Sequence, residues 1–111
     1  MIARSQPTAI DYEERDPDVR LMLDVRDGDM EAFETLMGRH QGRVHLLLNR
    51  LTRGRIPADD LAQEVFMRIF RARQTYEPHA KFSTWLSTIV KNVALNAGRS
   101  KRRAAELNRR V

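Results

Sequence analysis

Residues 33–51 read FETLMGRHQGRVHLLLNRL. Phe33, Leu36, Met37, His40, Val44, Leu47, Leu48 and Leu51 fall at i, +3, +4, +7, +11, +14, +15 and +18. That is one stripe of a 3.6-residue period. A half-buried strand would alternate every second residue, and this segment does not. The stretch is therefore an amphipathic helix. It ends where Thr52-Arg53-Gly54-Arg55-Ile56-Pro57 breaks the period.

Working upstream, Asp16-Pro17 has the form of an N-cap followed by proline in the first turn. A short helix is expected over 17–27, burying Val19, Met22 and Leu23. Gly28 ends it and Asp29 caps the long helix. Residues 1–15 show no sustained period and are expected to be a flexible leader.

Downstream, a third helix is expected from Ala58 to Arg73. Asp59 and Asp60 in its first turn and Arg71 and Arg73 in its last suit the helix dipole. Leu61, Ala62, Val65, Phe66, Ile69 and Phe70 form its apolar face, with Asp60, Gln63, Glu64, Met67 and Arg71 opposite. Gln74 to Lys81 reads as a loop. A fourth helix begins near Phe82 or Ser83 and is expected to reach about Arg99, with a frayed basic tail from Ser100. Its apolar set is Phe82, Trp85, Leu86, Ile89, Val93 and Ala97. Thr84, Thr88, Lys91, Asn92, Asn96 and Arg99 line its far side, with Leu95 among them. The fold class is all-α, a small bundle of about four helices.

Charge is distributed unevenly over the 111 residues. Residues 1–53 hold 8 basic and 10 acidic side chains, net −2; residues 54–111 hold 12 basic and 5 acidic, net +7. A one-sided basic end suggests a polyanion, nucleic acid or an anionic membrane; a solvated tail is the plain alternative. No apolar run approaches the ~20 residues of a membrane span. Cysteine is absent, so disulfides and thiolate metal sites are excluded and a reducing cytoplasm is permitted.

Reactive groups do not converge. His40, His45 and His79 lack metal-ligand spacing. His40 lies in the apolar stripe and reads as core; His45 reads as surface. Asp59-Asp60 is accounted for by a helix N-terminus. No phosphate loop or nucleophile motif is present. No catalytic residue, metal site or cofactor is expected.

The segment from Tyr76 to Arg103 differs. An aromatic-bearing loop leads into a helix with an amide-bearing stripe and then a basic run. Single strands bind by stacking on aromatics and by cations along the backbone, and Asn side chains read base edges. The plain alternatives are that Phe82 and Trp85 are core, that Asn92 and Asn96 are ordinary surface residues, and that Tyr76 packs back on the body.

These residues carry a family resemblance. Asp60-Leu61-Ala62-Gln63-Glu64-Val65-Phe66, then Lys81-Phe82-Ser83-Thr84-Trp85-Leu86, Ile89-Val90-Lys91-Asn92 and the basic run Arg99 to Arg103 resemble region 2 of extracytoplasmic-function sigma factors. Gly28 to Leu36 resembles the start of that region. The likeness implies a domain over 16–103, with 104–111 beginning a linker to a second, DNA-binding domain.

The resemblance also implies partners. Asp60, Gln63, Glu64 and Met67 would dock on the β′ clamp helices of core RNA polymerase. Tyr76, His79 and Lys81 on the loop, with Thr84, Trp85, Thr88, Lys91, Asn92, Asn96, Arg99, Lys101, Arg102 and Arg103, would hold promoter DNA, the non-template strand of the minus-ten element. The loop would capture a flipped base, binding energy offsetting the unstacking. An anti-sigma factor is a further implied partner, no membrane is, and the implied location is the cytoplasm. One tryptophan stands where housekeeping factors carry a pair, which implies weaker melting and stricter promoter choice. The rival readings are a regulatory interaction module that leaves DNA unmelted, and a duplex or RNA binder using the basic tail alone.

Overall fold

The structure is a computed structural model that describes residues 9–110. Five α-helices follow one another: α1 (Ala9–Arg15), α2 (Pro17–Arg26), α3 (Met30–Thr52), α4 (Ala58–Arg71) and α5 (Phe82–Arg110). A single 3₁₀ turn, Arg73–Thr75, lies between α4 and α5. α3 packs against α2, α4 and α5, and α4 also packs against α5.

The expected caps are in place. Asp16 is extended at φ −115° and its carboxylate accepts the Asp18 N–H at 3.0 Å. Gly28 stops α2 at φ 102°, a left-handed conformation open to glycine. Asp29 then accepts from the N–H groups of Glu31 and Ala32 at 3.0 and 3.2 Å. Each cap satisfies donors the first helical turn leaves free.

The core draws on four helices. Val19, Met22 and Val25 of α2, Val44 and Leu48 of α3, Val65 of α4, and Phe82 and Val90 of α5 are at most 1% exposed. Burying each contributes about 1.5–3 kcal/mol. Leu51, placed in the stripe by its spacing, is 42% exposed in the last turn of α3. His40 is buried in the stripe, its ring 5.2 Å from Phe82, and its Nε2–H donates to Asp18 at 2.9 Å. That bond makes a polar ring tolerable in the core.

Three expectations are corrected. The segment 9–15 is helical: its Tyr12 carbonyl accepts the Asp16 N–H at 2.9 Å, and the Tyr12 ring packs on the core. Residues 1–8 of the expected leader lie outside the described residues. Residues 100–110 do not fray; α5 runs unbroken to Arg110. Arg102 to Leu107 are strong helix formers with no Gly or Pro among them, and Glu106 pairs with Arg110 at 2.8 Å. The middle of α5's buried face is Leu86, Val90, Val93 and Ala94, which moves it toward Val90 and Ala94 relative to the sequence reading.

Candidate nucleic-acid interface

The loop after α4 folds back on the head of α5 and leaves a cleft of about 390 Å³. Thr75, Tyr76, Glu77 and His79 of the loop face Thr84, Trp85 and Thr88 of α5 across it. The cleft has a definite floor. Tyr76 is 3% exposed and meets Trp85 edge-on, with ring centroids 4.9 Å apart. Trp85 also leans on Phe82 at 5.7 Å and keeps part of its surface open.

Tyr76 therefore departs from the sequence expectation of a loop aromatic free to stack on a base. Its ring is committed to the body, and Pro78 is buried beside it in sequence. Two apolar residues in a short loop find more contact inward than outward, and that anchors the loop. The Tyr76 hydroxyl is buried without a hydrogen-bond partner. Burial, and then the charge of Asp16, push its pKa up to about 12, so it stays neutral.

The loop tip is what remains for solvent. Glu77 and His79 are exposed, and the His79 Nε2–H donates to the Glu77 carboxylate at 2.8 Å. Lys81 is exposed at the loop's exit.

From the cleft a polar stripe runs down α5. Thr84, Thr88, Lys91, Asn92, Asn96, Arg99, Arg102 and Arg103 are all exposed, and at 100° per residue they share one side of the helix. Leu95 lies among them, 49% exposed. Lys101 does not join this group. It projects about 150° around the helix from the middle of the stripe, and its Nζ donates to the Arg55 carbonyl at 2.8 Å.

A second concavity lies between α3 and α4. Asp60, Gln63, Glu64 and Met67, named from the sequence, border it together. Met30, Phe33, Met37, Phe66 and Phe70 supply its apolar wall, and Phe33 meets Phe70 edge-on at 5.5 Å. Met30 and Met67 are 45% and 47% exposed. Sequence reasoning missed the α3 half, although Met30 and Met37 stand seven residues apart and so share a face. Glu64 is held by Arg68 at 3.2 Å and Arg71 at 3.7 Å.

The fold and these two surfaces define a helical scaffold with one amide- and cation-bearing side and one methionine-rich groove. Residues 36–104 match the Sigma-70 region 2 family, and the chain belongs to it. It is similar to the RNA polymerase sigma factor CarQ of Myxococcus xanthus, 44% identical over 77 residues, covering 69% of this chain and 44% of that protein. It is also similar to the ECF RNA polymerase sigma factor SigE of Mycolicibacterium smegmatis, 38% identical over 74 residues, covering 67% of this chain and 28% of that protein. The chain thus spans less than half the length of these relatives. Among solved structures, an engineered region 2 of sigmaE, determined by NMR in complex with GTAAAA, is similar to it. The TM-score is 0.70 and the identity 34%, over 82% of this chain and 95% of that one.

Proposed function

We propose that this chain is the promoter-recognition domain of an extracytoplasmic-function sigma factor. It would hold the non-template strand of the minus-ten element and present core RNA polymerase with the α3–α4 groove. The observation that carries this reading is the continuity of cleft and stripe. A cleft of about 390 Å³ lies at the low end of the roughly 300–1,000 Å³ of small-ligand sites, a scale suited to a single base. A strand leaving it meets Thr84, Thr88, Lys91, Asn92, Asn96, Arg99 and Arg103 in succession. The similar sigmaE region 2 was solved with the six-letter sequence GTAAAA.

The action is binding rather than catalysis. Amides and hydroxyls would meet base edges, and cations would meet phosphates. Energy gained on the strand offsets the unstacking of a flipped base, a few kcal/mol. On this reading residues 16–103 are the working unit. An anti-sigma factor would compete for the exposed methionines of the groove, and the site of action would be the cytoplasm. No described helix is long and apolar enough to cross a membrane.

Fluorescence anisotropy with labelled single strands tests the reading. A minus-ten strand is expected to bind more tightly than its scrambled version and than its duplex. Equal affinity for all three would support a non-specific polyanion binder instead. No binding to any of them, with the polymerase clamp still captured, would support an interaction module that leaves DNA unmelted.

A further inference from the structure

Four cations stand apart from the α5 stripe. Arg50 lies in the last turn of α3, Arg53 and Arg55 flank Gly54 in the α3–α4 loop, and Lys101 reaches across from α5. All four are exposed, and none joins an ion pair among the described residues. The acids that follow in sequence are placed elsewhere. Asp59 accepts from His45 at 2.8 Å, and Asp60 borders the groove.

Hydrogen bonds to the end of α3 fix the loop's backbone. Arg53 sits at φ 55° and Gly54 at φ 69°, and Arg53 is the one non-glycine residue with positive φ among those described. The Gly54 N–H donates to Asn49 O at 2.9 Å and the Arg55 N–H to Thr52 O at 3.1 Å. A left-handed helix end ordinarily falls to glycine or asparagine. An arginine held there is an outlier of the kind that marks function. Lys101 then brings an ammonium onto the same loop, through the Arg55 carbonyl. Like charges gathered without acids repel, and an anion between them removes that repulsion.

The placement selects the anion. α5 is about 10–12 Å across with its side chains. Arg99 and Arg103 lie on one flank of it and the Arg53–Arg55 loop with Lys101 on the other. One strand follows one flank. Two backbones separated by a groove of about 6–12 Å meet both. The patch lies across the same helix from the side that our functional reading gives to DNA, which favours nucleic acid over an acidic protein.

We infer that the α3–α4 loop and Lys101 grip the phosphate backbone of double-stranded DNA flanking the strand held on α5. The inference rests on the proposed function. Its test uses a forked probe, a minus-ten single strand joined to one turn of upstream duplex, beside the same strand alone. The double variant Arg53→Gly, Arg55→Gln removes two cations and leaves the left-handed turn to a residue suited to it. Lys101→Gln removes the third without touching the loop.

The double variant should bind the fork about tenfold more weakly at low salt, with a log–log salt slope shallower by about 1.8, two duplex contacts' worth. Affinity for the single strand should stay within about twofold. Lys101→Gln should lower the fork slope by about 0.9. Equal losses on both probes, or no loss on the fork, would overturn the inference while leaving the proposed function standing. No binding of the unaltered chain to either probe would overturn both.

Discussion

The carboxylate of Asp16 accepts the backbone N–H of Phe82 at 2.9 Å, joining positions 66 residues apart. Its other oxygen accepts the Asp18 N–H at 3.0 Å. One side chain thus caps α2 and α5 together. It ties the start of the bundle to the residue that begins α5. The geometry of the cleft depends on this tie, since Trp85 and Thr84 follow Phe82 by one turn.

Asp16→Ala should cost about 2–3 kcal/mol of unfolding free energy, roughly one for the cap and the rest for the charge-assisted bond to Phe82. Asp16→Asn keeps an oxygen for one of the two donors and should cost about half as much. Urea unfolding followed by circular dichroism measures both. Equal, negligible losses would show that the two bonds carry no weight.

Tyr76 combines a buried ring with an unpartnered hydroxyl. Tyr76→Phe removes only the hydroxyl and should leave stability unchanged or raise it by up to about 1 kcal/mol, while Tyr76→Ala should lose about 3–5 kcal/mol. Ionisation is the second readout. The unfolded phenol titrates near 10 and the folded one near 12. Stability from the neutral phenol is present below pH ~10 and is lost as pH rises from there toward the folded value. Phenolate absorbance should lose its late component in Tyr76→Phe.

Both ring nitrogens of His45 face acceptors: Nδ1 is 2.7 Å from the Gln41 carbonyl and Nε2 is 2.8 Å from the Asp59 carboxylate. A neutral imidazole donates to only one of them. The Gln41 carbonyl, with help from Asp59, holds the pKa above 6.5. A raised value means the α3–α4 tie is fully present below pH ~6.5 and is lost as pH rises through the folded value. An NMR titration should place the His45 midpoint above 6.5 and return it toward that value in Asp59→Asn.

In the groove, Met67→Glu should abolish capture of a polymerase clamp fragment, since a charge would enter an apolar contact lined by Phe66 and Phe70. Thermal stability should hold, because Met67 is 47% exposed. Gln63→Ala with Glu64→Ala should weaken capture by roughly tenfold, the effect of a modest hot spot. Full capture by both variants in a pull-down would assign the groove to another partner.

Base preference should follow the loop tip. Exchanging residues 75–80 as a block would also replace the buried Tyr76 and Pro78, so the sharper exchange is Glu77→Gln with His79→Ala. These side chains are exposed and joined to each other. The melting temperature should stay within about 2 °C while the preferred base at one minus-ten position changes. An unchanged preference across single-strand variants would move specificity to Asn92 and Asn96.

Much of this protein was legible from residue order alone. The 3.6-residue stripe from Phe33 to Leu51 and the Asp16-Pro17, Gly28 and Asp29 signals are local. Local chemistry writes helices and their ends without reference to distant residues. The order Asp60 to Phe66, Lys81 to Leu86 and Arg99 to Arg103 was enough to point to the family. Tertiary structure decided the rest, because side-chain commitment depends on what lies across space. Tyr76 went inward because Trp85 and the core lay within reach. Asp16 acquired its second partner 66 positions away. Lys101 left the basic run for the Arg55 carbonyl because its angle on α5 turns it toward another loop. Periodicity tells which face of a helix is apolar, but whether a polar or aromatic residue is spent on packing or kept for a ligand is settled only when its neighbours arrive.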